Sequence, residues 1–534
     1  MLRLTNIKLP LNHLKGELET AILRKLGIQR KDLLGYSIFK RSYDARRKGE
    51  IKLIYTLHAD VRGEKDVLGR KRKDNTVQLA PDTSYQFVAE APEDCAHRPL
   101  IIGTGPCGLF AGLVLAQMGF KPILLERGKP VRERTADTFG FWKQRELNPE
   151  SNVQFGEGGA GTFSDGKLHT QIKDKNHLGR KVLTELAKAG APEEILYISK
   201  PHIGTLKLVK IVEDIRETIH DLGGEIRFQS RVDDLIIEEG HLRGVVLANG
   251  EKLHSDHVIL AIGHSARDTF QMLFERGVEI EAKPFSIGLR IEHPQKMIDA
   301  CRFGEYAGNP VLGAADYKLV HHSSNGRSVY SFCMCPGGTV LAAASEPGTV
   351  VTNGMSQYSR NAVNANSAIV VEVFPEDYPE SPIAGIAFQR KWEQRAFELG
   401  GGTYDAPGQL VGDFLAGRPS SEWGIVQPSF KPGVHPCDLS SSLPDEIIAA
   451  IREALPAFEK QIPGFAMADA VLTGVETRTS SPIRILRGSD FQSVNIAGLY
   501  PAGEGSGYAG GILSSAVDGI KAAEAVALSI VKAS

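Results

Sequence analysis

The most regular hydrophobic pattern in the chain lies in residues 99–128. Three consecutive apolar residues at 100–102 predict a short buried strand, and the stretch 109–116, rich in leucine and alanine, predicts a helix with a small face. Residues 122–125 predict a second strand, and Glu126 stands at its end. A strand, a helix and a strand in this order predict a βαβ unit.

The alternation of apolar and polar residues predicts a separate small α+β domain before this unit, in residues 1–92. Its predicted elements are a helix at 12–27 and strands at 2–9, 36–41 and 51–61. Residues 91–97 form the predicted linker to the βαβ unit.

The pattern after the βαβ unit predicts one domain that is divided by another. The first domain continues with a core helix at 205–222 and strands at 232–237, 242–247, 252–254 and 258–262. Residues 286–469 have mixed periodicity and frequent turns, with one predicted helix near 445–458, and we expect them to form an inserted α+β domain. A strand at 495–499 and a final helix then complete a domain made of residues 98–285 and 470–534.

Glycines at the first strand–helix turn indicate a nucleotide site. Gly103, Gly105 and Gly108 have the spacing G-x-G-x-x-G, which lets backbone approach a pyrophosphate at the start of a helix. The same spacing recurs within 156–161 and 505–510, but only the first match has a strand before it, a helix after it and an acid at the next strand end. Dinucleotide binding is therefore favoured over a structural glycine-rich turn, with the Glu126 carboxylate as acceptor for a ribose diol.

A second glycine-rich segment follows. Residues 152–169 contain five glycines, which predicts a loop that lets backbone approach a flat ligand, with a flexible surface loop as the alternative. Just before it, Arg132 and Arg134 are placed to meet a phosphate or an adenine.

Composition excludes several classes of protein. The chain has 534 residues, of which 42% are hydrophobic and 24% charged, typical of a globular protein of several domains. It has no apolar run long enough to span a bilayer and no signal-like start, so we expect a soluble cytoplasmic protein with no membrane partner. Six cysteines in so long a chain do not indicate a disulfide framework.

Charge is unevenly distributed. The net charge is −2, yet residues 1–90 carry 19 Lys and Arg against 11 Asp and Glu. Basic residues gather at 46–48 and 70–73, which suggests either a nucleic-acid surface or a solvated face. The solvated face is favoured, because no aromatic stacking platform or RNA-binding motif accompanies the charge.

These segments together resemble the FAD-binding domain of the glutathione-reductase-like flavoprotein superfamily, over about 98–285 and 470–534. The resemblance implies an α/β fold with a Rossmann-like FAD-binding domain, split by the inserted substrate domain and preceded by the small α+β domain. LAIGHS at 260–265 resembles the A-T-G segment of the superfamily, with Ile262 in place of threonine. GLYPAGEG at 498–505 resembles its Gly-Asp segment for the ribityl chain, with Glu504 as the acid.

The resemblance implies FAD as cofactor, running from Glu126 at the adenosine end to Gly511 at the flavin end. The predicted cofactor-binding residues are Gly103, Thr104, Gly105, Pro106, Cys107, Gly108, Glu126, Arg127, Arg134, Gly159, Gly161, Thr162, Val232, Gly263, Gly503, Glu504, Gly510, Gly511 and Ile512.

A closer resemblance, over essentially the full chain, is to a bacterial family of uncharacterised FAD-dependent dehydrogenases. The motifs that carry it are KRSYDARRK, FSDGKL, PFSIGLRIEHPQ, YSFCMCPGG, NGMS, ETRTSSPIRI and YPAGEGSGYAGGI. This resemblance implies fold and cofactor and leaves the substrate open.

Four residues are candidates for chemistry beside the flavin. Lys167 is either a cation for an anionic substrate or reduced flavin, or a surface lysine. Arg478 either clamps a substrate carboxylate or is held in an ion pair with Glu476. Cys333 and Cys335 are either a redox pair or structural thiols, and the strain of so short a ring favours the second.

The sequence thus predicts an FAD-dependent oxidoreductase, a dehydrogenase that transfers hydride between flavin N5 and a small organic substrate. NAD(P)H as a transient donor and an electron-transfer partner are both open, since no second dinucleotide fold is predicted. His321 and His322 lack further ligand spacing, so we expect no metal site. The alternatives are a nucleic-acid-associated flavoprotein that uses its basic first domain, and a non-catalytic FAD sensor.

Overall fold

The computed structural model describes residues 1–47, 49–93 and 97–533, so Lys48 of the basic cluster and part of the predicted linker lie outside the described residues. The first domain is an antiparallel sheet with strand order β2-β3-β1-β4 and two helices. Its elements are β1 (Leu2–Pro10), α1 (Lys15–Leu26), β2 (Leu33–Asp44), β3 (Lys52–Val61), α2 (Glu64–Arg70) and β4 (Val77–Leu79). Leu4, Ile22 and Leu57 are buried in its core.

The first domain packs on the rest of the chain through aromatic residues of β2. Phe39 stacks on His58 and lies beneath the guanidinium groups of Arg3 and Arg180, and Tyr43 packs edge-on against Phe303. Because Phe39 and Tyr43 are used in these contacts, they do not form an open platform for nucleic-acid bases.

The second domain begins with the predicted βαβ unit. Its first part comprises β5 (Leu100–Ile102), α3 (Pro106–Gln117), β6 (Ile123–Leu125), α4 (Val131–Gln144), α5 (Leu178–Lys188), α6 (Thr205–Asp221), β7 (Glu225–Arg227), β8 (Val232–Glu238), β9 (His241–Leu247), β10 (Lys252–His254), β11 (Val258–Leu260), α7 (Arg267–Glu275) and β12 (Ile280–Ala282). Strands β8 to β10 form a small antiparallel sheet.

The inserted domain is built on a seven-stranded sheet with order β14-β15-β18-β13-β21-β19-β20. Its elements are β13 (Phe285–Pro294), α8 (Gln295–Phe303), β14 (Val320–His322), β15 (Ser328–Cys335), β16 (Gly338–Ala342), β17 (Thr352–Ser356), β18 (Asn364–Val373), α9 (Ala384–Leu399), β19 (Ala406–Leu410), α10 (Val411–Ala416), β20 (Val434–Pro436), α11 (Asp445–Glu459) and β21 (Val471–Glu476). Strand β21 pairs with β13, so this sheet extends past residue 469, where the sequence pattern placed the end of the insert.

The chain then returns to the second domain with β22 (Ile483–Ile485), β23 (Leu499–Pro501) and α12 (Ile512–Ala533). The strand expected at 495–499 is wrong in position. The Asn495 side chain binds the backbone of Gly277 and Glu279, and Gly498 turns the chain with a φ of 83°. The strand therefore begins only at Leu499.

Strand β23 completes a five-stranded parallel sheet with order β23-β11-β5-β6-β7. Alternate residues of its strands point to opposite faces. Ile101 and Ile259 belong to a core shared with α3, α5, α6 and α12, while Leu100 and Leu260 belong to a core shared with the small sheet. Within the described ranges, no helix has both the length and the apolar character needed to cross a bilayer.

Candidate functional site

Two glycines bring the parallel sheet and helix α3 into close contact. Gly103 has a φ of 100°, and a Cβ there would lie 2.4 Å from the carbonyl oxygen of Ala261. A Cβ at Gly108 would lie 1.9 Å from the carbonyl oxygen of Gly103. Pro106 is the first residue of α3, where its missing N–H costs no hydrogen bond. The residues at the N-terminus of α3 line a large cavity between the parallel sheet and the inserted domain.

Glu126 joins the two glycine-rich segments. Its Oε2 accepts hydrogen bonds from the N–H and the hydroxyl of Thr104, at 3.0 and 2.7 Å. Its Oε1 accepts from the N–H groups of Gly128 and Gly156, at 2.9 and 3.0 Å. A carboxylate has about four acceptor positions, so the protein itself uses all of them. Glu126 lines the cavity, and its predicted contact with a ribose would require a hydroxyl to share one of these oxygens.

Arg134 does not reach the cavity, which corrects its predicted role at the cofactor. The side chain is fully buried, and its guanidinium donates to the backbone carbonyls of Asn152, Val153 and Glu157, each at 2.7 Å. Arg134 was predicted to contact the cofactor because it comes shortly before the glycine-rich loop 152–169. In the structure, its side chain leaves α4 on the face that lies beneath this loop. Arg132, on the same helix, is paired with Glu213 instead of a phosphate.

Three further predicted residues lie behind the cavity wall. A Cβ at Gly158 would lie 2.2 Å from the Thr162 hydroxyl, so Thr162 is packed beneath the loop. Gly108 is covered by Gly103, and a Cβ at Gly503 would lie 2.9 Å from Cβ of Cys107. These residues support the wall, and all the other predicted cofactor-binding residues line the cavity.

The second glycine-rich segment packs directly on the first. A Cβ at Gly159 would lie 2.8 Å from the Cα of Gly105, and a Cβ at Gly161 would lie 2.9 Å from Ile512. Gly159 therefore packs on the start of α3 and Gly161 on the start of α12, so this segment joins the two helix N-termini. At Gly510 and Gly511 a Cβ would meet no atom within 4 Å, so the backbone before α12 borders open space in the cavity.

Glu504 supplies an unused acceptor to this cavity. Within the part of the chain that the structure describes, its carboxylate receives no hydrogen bond, and His264 Nε2 lies 3.8 Å from its Oε1. Burial and the nearby Arg478 lower the pKa of His264 to about 3, so the imidazole is neutral. Burial raises the pKa of Glu504 to about 7.

The arrangement fits FAD. The cavity and the open space at its mouth together amount to about 1560 Å³. Two helix N-termini, those of α3 and α12, face it and favour negative groups, and glycines keep the backbone accessible. The free Glu504 carboxylate suits a chain of hydroxyl groups. The N-terminus of α3 suits the pyrophosphate, the N-terminus of α12 suits the flavin edge, and the Glu504 carboxylate suits the ribityl chain.

Lys167 lies on the side of the cavity formed with the insert. Its Nζ is 3.1 Å from Oδ2 of Asp165 and also donates to the carbonyl of Met334. Asp165 is in addition bound by Arg360, through Nε at 2.9 Å and Nη2 at 2.5 Å. Although burial opposes ionisation of Asp165, Lys167 and Arg360 hold its pKa well below the usual range.

Cys333 and Cys335 both line the cavity because β15 has a bulge. The register against β18 shifts between Phe332 and Cys335, and Cys333 has a φ of 43°. Both are free thiols, and Cys335 Sγ donates to the Cys333 carbonyl at 3.2 Å. Burial raises the pKa of Cys335, so this thiol is protonated at neutral pH.

Arg478 lines the cavity but is held by an acid other than the one predicted. Its Nε and Nη2 bind the carboxylate of Glu393, and its Nη1 donates to the hydroxyls of Ser265 and Ser345. Glu476, the expected partner, is bound instead by Arg290, at 3.0 and 2.6 Å. The ion-pair alternative is therefore the one observed, with Glu393 as the acid.

Several residues of the cavity wall were not predicted from the sequence. Asp165 could have been found from its place two residues before Lys167, and Asn353 from its position before a glycine in NGMS. Gln154 binds the hydroxyl of Ser265 and the carbonyl of Ala343, contacts that join distant segments and leave no local pattern.

Two family models match the chain. Residues 284–479 match the C-terminal domain of FAD-dependent proteins, and residues 1–60 match a domain of unknown function. The first match covers the inserted sheet, which forms the wall of the cavity that carries Cys333 and Glu476. FAD is the cofactor of this protein.

Solved structures with distant similarity are flavoenzymes. The flavin-dependent brominase Bmp2 is 13% identical, with a TM-score of 0.35, over 82% of this chain and 79% of its own. Glycine oxidase from Bacillus cereus is 12% identical, with a TM-score of 0.32, over 80% and 94%. These similarities are too low to extend to the site.

A much closer relative is an uncharacterized protein of Clostridium beijerinckii. It is 48% identical over 525 residues, which cover 98% of each chain. The chain belongs to the same family as this clostridial protein, and its inserted domain is that of FAD-dependent proteins.

Proposed function

We propose that the protein is an FAD-dependent oxidoreductase that transfers hydride between flavin N5 and a small organic substrate. The proposal rests on one observation, which is that two different sets of groups line the same cavity. One side has glycine-rich backbone and two helix N-termini, and the opposite wall has Lys167, Cys333 and Cys335. Bound FAD would supply the two-electron chemistry, and the side chains of the opposite wall would bind and orient the substrate.

The residues divide into two groups by position. Backbone at Gly105 and Gly159, with the Glu504 carboxylate, would hold the cofactor. Lys167 and Asn353 present polar groups from the opposite wall, and Phe332 adds an apolar surface there. The buried pair of Arg290 and Glu476 joins β13 to β21, and Glu476 itself lines the cavity in this wall.

Two routes for the electrons are compatible with this geometry. The described residues contain one parallel sheet of the dinucleotide-binding type. We therefore propose either that NAD(P)H enters the same cavity in turn with the substrate, or that electrons pass to another protein or another acceptor.

Anaerobic stopped-flow reduction tests the proposal. The holoprotein is mixed with NADH, then NADPH, then a panel of metabolites, and flavin absorbance is followed. We expect NADH, NADPH or at least one of the metabolites to bleach the flavin on the time scale of catalytic turnover. A flavin that dithionite reduces but that no donor or metabolite bleaches would favour the non-catalytic sensor.

A further inference from the structure

We propose that Lys167 binds a carboxylate group of the substrate. The inference rests on the proposed function and deepens it, because it assigns a substrate class, organic acids, to the side of the cavity formed with the insert.

The charges around Lys167 do not balance. Asp165 is only 2% exposed, and both of its oxygens are already bound by the guanidinium of Arg360. Lys167 approaches the same carboxylate at 3.1 Å, and its other contact is the uncharged carbonyl of Met334. One carboxylate thus faces two cations, which leaves one positive charge unmatched beside the cavity.

The remaining carboxylates of the cavity wall do not supply the missing charge. Glu126 is occupied by Thr104 and the two glycine N–H groups, and Glu476 forms a two-point pair with Arg290. Glu504 lies near His264 and makes no ion pair with Lys167 among the described residues. The counter-charge for Lys167 must therefore come from a ligand.

Hydrogen-bond donors are also left over. An ammonium group has three N–H donors, and Lys167 donates one to the carbonyl of Met334, while Asp165 lies at ion-pair distance. Asn353 also lines the cavity; its Oδ1 accepts from the Gly354 N–H at 2.8 Å, while its Nδ2 donates to no described atom. A Cβ at Gly354 would lie 2.9 Å from Cys335 Sγ, so the residue after Asn353 packs against a thiol that lines the same cavity as Lys167. Free N–H donors on two side chains, Lys167 and Asn353, together with one positive charge, suit a monoanionic carboxylate.

The position of Lys167 favours the substrate over the cofactor as the source of the anion. The ammonium is held against β15 of the inserted domain, whereas the N-termini of α3 and α12 face the cavity from the glycine-rich side. Those helix ends would meet the negative groups of bound FAD.

The test compares acids with their neutral amides on the FAD-loaded protein. Propionate and benzoate, then propionamide and benzamide, are titrated while flavin absorbance is recorded, and calorimetry provides a second readout of binding. Wild type should bind the acids more tightly than the amides. Lys167→Gln should weaken acid binding by about tenfold or more, and Lys167→Arg should retain most of it. Lys188→Gln, an exposed lysine on α5 that removes the same charge, should have no effect.

The proposal is overturned if wild type binds none of these acids, if the amides bind equally well, or if Lys167→Gln leaves acid affinity unchanged. A change in flavin reduction potential without a change in acid affinity would assign the charge to the cofactor instead. Failure of the proposed oxidoreductase function is distinguishable, because a flavin that no natural donor reduces can still report acid binding.

Discussion

Arg478 and Glu393 form a buried two-point pair, with Nε 3.1 Å from Oε1 and Nη2 2.9 Å from Oε2. Glu393 has no exposed surface, and Arg267 binds the same carboxylate at 2.7 and 2.9 Å. Glu393 of α9 thus holds Arg478, five residues before β22, and Arg267, the first residue of α7. Through these two arginines the carboxylate connects the inserted domain to both parts of the second domain.

Glu393→Gln should lower the free energy of unfolding by about 3–5 kcal/mol, because it leaves buried arginine charge uncompensated. Urea unfolding measures the change. Glu346→Gln is the matched control, since Glu346 pairs with Arg267 and Arg390 but is 26% exposed, and its loss should cost about 1 kcal/mol. Equal costs for the two variants would contradict the role given to Glu393.

Glu126→Ala should weaken FAD binding by about 1–3 kcal/mol, because it removes a charged acceptor. The substitution also breaks the link between Thr104 and Gly156, whose N–H groups both donate to this carboxylate. Quenching of flavin fluorescence on titration measures the affinity. Glu133→Ala, an exposed acid on α4, should bind FAD as wild type does. Unchanged affinity in Glu126→Ala would show that the turn holds its shape without this carboxylate.

Glu504 should make the stability of the FAD-free protein depend on pH. Its pKa is about 7 in the folded protein against an ordinary value of 4.5, so the folded state binds more protons than the unfolded state in this range. The contribution of this group is therefore full below pH 4.5 and is lost as pH rises to 7, by about 1–2 kcal/mol for a partly exposed side chain.

Glu504→Gln should remove this part of the pH dependence, as measured by urea unfolding at a series of pH values. Glu422→Gln, an exposed acid of the insert, should keep it. A profile for Glu504→Gln that runs parallel to wild type would show that the carboxylate is better solvated than its position indicates.

The cavity thiols should differ in reactivity. Burial raises the pKa of all three thiols, that of Cys333 to about 12, so their pKa values do not separate them. Exposure does, because Cys333 is exposed in the cavity, whereas Cys335 and Cys107 are buried. Iodoacetamide followed by mass spectrometry of peptides should modify Cys333 before Cys335 in FAD-free protein, and bound FAD should slow the reaction. Modification of Cys333 at the same rate with and without FAD would mean that the thiol does not lie near the cofactor.

Local pattern was enough to predict the elements that form the glycine-rich side of the cavity. The strand at Leu100–Ile102, the helix after it and Glu126 at the next strand end are all encoded within thirty residues, and the structure has them as predicted. The third glycine of the motif packs against the first, as its spacing indicates.

Contacts between distant segments could not be predicted in this way. Arg478 and Glu393 are 85 residues apart, and nothing in either local sequence specifies the other. Arg134 has the right position for a cofactor contact, but which face of a helix meets the loop depends on tertiary packing. The bulge that brings Phe332, Cys333 and Cys335 to one cavity likewise depends on pairing with β18.

The FAD affinity of Gly105→Ala tests most directly whether the cofactor binds at the start of α3. Gly105 has a φ of −69°, and a Cβ there would lie 3.8 Å from its nearest neighbour, so alanine fits the FAD-free protein without strain. The added methyl stands where the pyrophosphate must approach, and we predict that FAD binding weakens by about tenfold or more while the unfolding midpoint of the FAD-free protein is unchanged. Gly16→Ala, on α1 with open space around it, is the control and should bind FAD normally. Normal FAD binding by Gly105→Ala would contradict the placement of the cofactor at the start of α3.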